Sequence, residues 1–327
     1  MSYTQLSVNE RYQLHDLRTS QGLSLRTIAV LMKRSHATLS RELRRNTQAI
    51  GAYLPDTAHL KMKARRAGSK VPFQQISTEI LEEVKMRLKN CHSPEQISGR
   101  LKREKLKGMS HETIYKMIYS NHEGLAEFAK YLRRNQPKRK KRIALKGKRG
   151  VIPNRVGIEE RPVIADAKEE IGHWESDTMI GANHQGVIVT HVDKASRYLI
   201  AELAPDKTVA SLNRVTKKAF KEVPQEKLKT LTSDNGKEFA GHVWLAAILH
   251  VCWYFARPYH SWERGLNEHT NGMLRQFFRK KTNFKAIKKE KLVWAVNLIN
   301  HRPRKCLDYK TPHEVFFEQS GAGALQL

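Results

Sequence analysis

Residues 172–203 read GHWESDTMIGANHQGVIVTHVDKASRYLIAEL, and the fold turns on them. Three β-rich runs, GHWESDTMIG, VIVTHVDK and RYLIAEL, are separated by Gly-Ala-Asn-His-Gln-Gly and by Ala-Ser, so three adjacent strands are expected. A helix over about 206–222 should follow, with Val209, Leu212 and Val215 roughly a turn apart. Next come a strand at KTLTSD (229–234), a helix over 239–250, a strand at VCWYFA (251–256) and a helix over about 264–280.

Three neighbouring strands followed by alternating helix and strand is the order of a ribonuclease-H-like α/β domain. The expected architecture is therefore α+β and multidomain, with all-α helix-turn-helix modules ahead of that catalytic domain. Within it, Asp177 falls mid-strand, Asp234 at a strand's C-terminal end in an Asp-Asn-Gly turn, and Glu268 on the helix that follows. Each acid alone has an ordinary explanation. Strands disfavour Asp but tolerate it, Asp-Asn-Gly is often only a turn, and a Glu in a helix's first turn offsets the dipole. Together they point to chemistry, because clustered anions raise each other's pKa unless a cation neutralises them. Two Mg²⁺ ions, hard cations that take oxygen ligands, would do so. Such a pair activates an attacking hydroxyl and stabilises a leaving oxygen at a phosphodiester.

Glu175, Asp193 and Glu238 are rival acids. Glu175 lies two residues before Asp177 and faces the same side of its strand. Asn271 and Arg275 share a helix face with Glu268. They are candidates to support the acids, Asn271 by steadying a carboxylate and Arg275 by meeting a phosphate. Trp262 and Arg264, in the segment entering that helix, are candidate DNA contacts, with Trp262 able to stack on a base or to pack on the core.

Composition points the same way. Sixty Lys and Arg against 32 Asp and Glu leave a net charge of +28, suited to neutralising phosphates. The excess is uneven: residues 1–150 hold 33 basic and 12 acidic residues, and 151–327 hold 27 and 20. The N-terminal half is thus expected to hold DNA and the C-terminal half to carry the acids. The three cysteines, Cys91, Cys252 and Cys306, form no C-x-x-C pair, which excludes a zinc ribbon and suggests small core residues in a reducing compartment. The polar N-terminus does not read as a secretory leader, and the apolar run 243–256 is too short to span a bilayer. A cytoplasmic, nucleoid-associated location is the expectation.

Ser7 followed by Glu10 is a capping box opening a helix toward Gly22. A second short helix from Ser24 should place Ile28 and Leu31 inward. Ser35 then caps HATLSRELRRN, whose Leu39 and Leu43 pack inward while His36, Thr38, Ser40, Arg41 and Arg44 are left for DNA. This is the helix-turn-helix pattern. A second such unit opens at the capping box Ser93-Pro94-Glu95-Gln96, and its later helix offers His111, Thr113 and Lys116. Paired helices that serve only as a spacer remain the alternative there. KMKARRAGSK (61–70) reads as a solvated basic linker, and PKRKKRIALKGKRG (137–150) holds eight basic residues in fourteen. The domain division is then 1–60 for the first helix-turn-helix, 61–92 for a basic linker and connecting helix, 93–134 for the second, 135–160 for a basic linker, and 161–327 for the catalytic domain and tail.

These motifs carry a family resemblance over nearly the whole length. The helices of residues 7–46, SPEQISGRLK, SHETIYKMIY, GHWESD, TSDNGKEF, PYHSWERGLNEHTNGMLRQFFRK and the tail NHRPRKCLDYKTPHEVF resemble the insertion-sequence-30 family, a branch of the DDE transposases. The family pattern places its acids on Asp177, Asp234 and Glu268. Two departures are visible, Ser176 where a glycine is usual and His260 where a small residue is usual. The resemblance implies double-stranded DNA partners (terminal inverted repeats and target), metal-dependent cleavage with Mg²⁺ or Mn²⁺, strand transfer, and a homodimer or larger assembly. From the residues alone, a DNA-binding regulator and a ribonuclease-H-like nuclease stay open. The tail arginines Arg302 and Arg304, with Lys305, could meet DNA or simply close the domain.

Overall fold

The computed structural model describes residues 5–48, 51–68, 73, 76–106, 108–133, 152–258 and 260–318, with the side chains of Ser261 and Trp262 left out. The chain divides into two compact units, residues 1–77 and 78–327.

The first unit holds α1 (Val8–Thr19), α2 (Leu25–Leu31), α3 (His36–Asn46) and α4 (Pro55–Gly68). The expected capping box forms: the Glu10 N–H donates to Ser7 Oγ, and the Ser7 N–H donates to Glu10 Oε2. Leu14, Ile28 and Leu39 are fully buried and form the core with Leu6 and Leu17. Leu31 is not inward as expected but 54% exposed, because the seven-residue α2 buries Ile28 and Ala29 instead. The basic stretch 61–68 is not a linker either. It continues α4, which packs on α1 and α3 and buries Ala58, while its charges line the outer face. Arg65 Nη2 donates to Asn46 Oδ1. Residues 69 and 70 lie outside the described residues.

The second unit opens with α5 (Thr78–Lys89), α6 (Pro94–Arg103) and α7 (His111–Tyr119). Ser93 and Gln96 cap α6 reciprocally, and Ile97, Leu101, Ile114 and Ile118 are buried as their spacing requires. These helices are not a free-standing module. They cluster with the sheet, in part through Arg100, which donates two hydrogen bonds to the Glu314 carboxylate at 2.7 and 2.6 Å. Lys305 also pairs with Glu95 at 2.9 Å. Of the expected linker 135–160, residues 135–151 lie outside the described residues. Residues 152–160 belong to the fold: Ile152 is in the core, and the Phe255 N–H donates to the Val156 carbonyl.

After the one-turn α8 (Ile164–Ala167), strands β1 (His173–Ile180), β2 (Val187–Asp193), β3 (Leu199–Ala204), β4 (Thr230–Ser233) and β5 (Cys252–Phe255) form one sheet in the order β3-β2-β1-β4-β5. β1 pairs with β2 and β2 with β3 antiparallel, whereas β1 pairs with β4 and β4 with β5 parallel. The parallel strands need crossovers, which α9 (Val209–Ala219) and α10 (His242–Leu249) supply. These helices bury Leu212, Val215 and Leu245 with Trp174, whose indole N–H donates to the Lys227 carbonyl. On the other face α11 (Gly265–Leu274) and α12 (Lys289–Asn300) pack Met273, Leu274, Leu292 and Ile299 against Met179 and Ile188. The helix expected over 264–280 thus ends early, and α12 and α13 (Pro312–Glu318) follow it.

Cys252 and Cys306 are exposed and Cys91 half-buried, so the cysteines are free thiols but not core residues. Among the described residues, no helix is long and apolar enough to cross a membrane.

Candidate active site

Alternation along β1 decides what meets what. Trp174 enters the α9–α10 core, while Glu175, Asp177 and Met179 face α11 and α12. Asp177 accepts from its neighbour's backbone, the Thr178 N–H to Oδ1 at 2.9 Å, and from Asn271 Nδ2 to Oδ2 at 2.9 Å. Asn271 is itself held by the Thr190 hydroxyl, which donates to Oδ1 at 3.1 Å from the strand facing Asp177. Asp234 follows β4 directly, and its Oδ1 accepts from the Gly236 N–H in the Asp-Asn-Gly turn.

Arg264 joins the two aspartates. Its Nη1 is 3.4 Å from Asp177 Oδ1 and its Nη2 is 3.7 Å from Asp234 Oδ2. Burial pushes the Asp177 carboxyl above the usual carboxylate range, Arg264 pulls it partly back, and the Asp234 charge pushes it up again. The sequence suggests Arg264 as a DNA contact; in the fold it lies between two acids. Glu268 is exposed on α11, one turn before Asn271 on the same helix face. Glu175 is 2% exposed and accepts the Asn267 N–H at 3.1 Å. Burial holds its carboxyl high.

The other candidates scatter. The Arg275 guanidinium lies over the Phe284 ring, 5.6 Å from its centroid, not beside the aspartates. Asp193 serves a turn, accepting from Gly172 N, Ser196 N and Ser196 Oγ. Glu238 is buried between the Thr178 hydroxyl and Lys207. The Trp262 side chain lies outside the described residues. Ser176 fills its place beside the fully buried His191, with Oγ 2.8 Å from Nδ1. In the first unit His36, Arg41 and Arg44 are exposed and Thr38 and Ser40 half-buried; His111 and Lys116 of α7 are exposed and Thr113 half-buried.

Sequence reasoning does not single out Thr190 or Asn267. A signal for Asn267 exists: Asn267, Thr270 and Asn271 put amides and a hydroxyl on the buried side of a helix, where apolar residues are the rule.

As for a metal, the Asp177 and Asp234 carboxylates, each within 4 Å of the Arg264 guanidinium, offer hard oxygen donors of the kind a divalent cation takes. Among the described residues no three His, Cys, Asp or Glu already converge as a cage.

A helix-turn-helix unit is joined in one chain to a five-stranded sheet with two antiparallel and two parallel pairings, the architecture of a DNA-binding module ahead of a ribonuclease-H-like domain. Family models bear this out: one described as "Helix-turn-helix domain" matches residues 2–46, and one described as "Integrase core domain" matches 167–261. The transposase for insertion sequence element IS4351 of Bacteroides fragilis is 40% identical over 296 residues, 90% of each chain. Transposase InsI for insertion sequence element IS30A of Escherichia coli K12 is 35% identical over 95% of this chain and 82% of its own. Among solved structures, the catalytic core domain of BIV integrase aligns at 21% identity and a TM-score of 0.37, over 45% of this chain and 93% of that one. The chain belongs to the insertion-sequence-30 family of transposases, enzymes that cut and join DNA.

Proposed function

We propose that the chain binds the terminal inverted repeats of its own mobile element and catalyses cleavage and strand transfer with Asp177, Asp234 and Glu268 as a metal-dependent acidic trio. The observation that supports this best is the single guanidinium shared by Asp177 and Asp234, which marks a point between two anions where a cation is favoured. A bound pair of Mg²⁺ ions, or Mn²⁺ in their place, would supply Lewis acidity to the attacking hydroxyl and the leaving oxygen.

The protein's own groups have separable tasks. Asn271, fixed by Thr190, holds Asp177 in one orientation. Glu175 accepts the Asn267 N–H and so ties α11, the helix that carries Glu268, to β1. Arg264 neutralises the aspartates and is within reach of a phosphate once they are otherwise occupied. Side chains of α3 and α7 read or grip the duplex, the exposed His36, Arg41 and Arg44 with the half-buried Thr38 and Ser40 on the one, the exposed His111 and Lys116 with the half-buried Thr113 on the other. Joining two ends requires at least two active sites, so a homodimer or larger assembly on DNA is part of the reading.

The test uses purified protein and labelled duplex from the edges of the flanking DNA, with Mg²⁺ or EDTA, and Asp234→Asn in parallel. Mg²⁺-dependent nicking at a fixed position and joined products, both absent from Asp234→Asn although it still binds, are the expected results. Specific binding without cleavage by the parent protein would leave a DNA-binding regulator.

A further inference from the structure

The tail motif His301-Arg302-Pro303-Arg304-Lys305 has no part in the site above. It leads from α12 into a cavity of about 340 Å³ enclosed by the start of α6, by α11 and by the tail itself. Arg302 and Arg304 line this cavity and are only 3% and 8% exposed. Burial lowers Arg302 to about 10 and Arg304 to about 9, so both still carry their charge at neutral pH.

Two buried cations side by side need an anion, and among the described residues none is paired with them. Arg302 Nη1 donates to the neutral Gln276 side chain at 3.2 Å, and Arg304 Nη2 to the Ile299 carbonyl at 3.1 Å. Arg302 Nε and Nη2 and Arg304 Nε have no hydrogen-bond partner among the described residues. The Nε and Nη2 edge is the side of a guanidinium that grips an oxyanion through two parallel hydrogen bonds. His92 and His269 also line the cavity, and burial, then the nearby Arg302, lower the His92 imidazole to about 3. Glu95 contributes a carboxylate to the wall, but it is engaged by Lys305 at 2.9 Å. Leaving buried charges uncompensated destabilises a fold markedly, and an oxyanion supplies the missing partner.

We propose that this cavity is an oxyanion site that takes one backbone phosphate of the bound DNA and seats the strand on the catalytic unit. The inference rests on the reading of this chain as a DNA-joining enzyme. Its location favours DNA over a free anion. His269 of the cavity wall and Glu268 both belong to α11, so one helix carries both the cavity wall and the proposed catalytic acid, and the exposed Lys305 ammonium stands at the cavity's edge.

The three thiols provide a test on the unaltered protein. Cys91 and Cys306 line the cavity, whereas Cys252 starts β5 and does not. The full chain is alkylated with N-ethylmaleimide alone, with an element-end duplex, or with inorganic phosphate, and each cysteine is followed by mass spectrometry beside a gel-shift assay. Expected is a slowing of Cys91 and Cys306 by about tenfold or more in the DNA complex, partial slowing in phosphate, and an unchanged Cys252. Arg302→Lys, which keeps the charge but loses the two-pronged edge, should abolish the phosphate protection. A shifted complex in which Cys91 and Cys306 react as in the free protein overturns the proposal and leaves the transposase reading standing. Protection by phosphate but not by DNA overturns the DNA source, and absence of any shifted complex overturns the underlying reading as well. Should Arg302→Lys fail to fold, the comparison of the three thiols in the parent protein still decides.

Discussion

Asn271 Nδ2 donates a hydrogen bond to Asp177 Oδ2 across 2.9 Å, joining α11 to a strand 94 residues earlier in the chain. A carboxylate so held cannot swing away from a ligand. Asn271→Ala should lower cleavage by about 10- to 100-fold, the usual effect of losing a group that orients a metal ligand, and leave end binding unchanged. Single-turnover nicking and a gel-shift titration on the same preparation check both halves.

Arg264 occupies a position between Asp177 and Asp234 that an added cation would contest. A half-buried ion pair is worth about 1 kcal/mol, so Arg264→Gln should tighten Mn²⁺ binding to the DNA-free protein several-fold while slowing cleavage. A Mn²⁺ titration followed by electron paramagnetic resonance measures the first effect. Unchanged or weaker binding would show that the guanidinium does not compete with metal.

The exposed guanidinium groups of α3 should act through phosphate. Arg41→Ala and Arg44→Ala are each expected to weaken binding to element ends and to reduce the salt slope by about 0.9 for each phosphate no longer neutralised. If both variants footprint like the parent protein, α3 does not grip the duplex.

His191 supplies a pH dependence. Burial depresses its imidazole to about 3, against about 6.5 in an unfolded chain. The folded state therefore binds fewer protons. The associated stability is fully present above pH 6.5 and is lost as the pH falls from there toward 3, by at most about 1.4 kcal/mol per unit from this group. Melting temperatures of the parent and of a Ser176→Ala/His191→Leu double variant, taken at pH 7 and 5.5, should fall further in the parent. Equal slopes would mean that His191 is protonated in the fold.

Local signals are legible in the sequence, and long-range ones are not. Both capping boxes form, because the Ser7 and Ser93 caps are satisfied within four residues. The strands and the two aspartates fall where alternation and the Asp-Asn-Gly turn place them. Residues 61–68 read as a linker because they are rich in Lys and Arg and stay at least partly exposed; the helix they continue packs through its start, at Pro55 and Ala58. Spacing alone puts Leu31 inward beside Ile28, but the seven-residue α2 turns Ile28 and Ala29 inward and leaves Leu31 in solvent. The partners that Arg264, Arg302 and Arg304 meet in the fold have no local signature. An arginine's partner depends on which distant segments meet, as when Asn300 pairs with both the N–H and the carbonyl of Leu199, 101 residues away.

The ion pair between Arg100 and Glu314 spans 214 residues of sequence, and it ties α6 to the far end of the catalytic fold. A duplex gripped by α7 would then lie at a set offset from Asp177, as in a caliper whose jaw has been locked. The distance along the DNA from recognised bases to severed bond would be a property of the folded protein, so inserting a base pair between them should move the cut and leave the grip where it was.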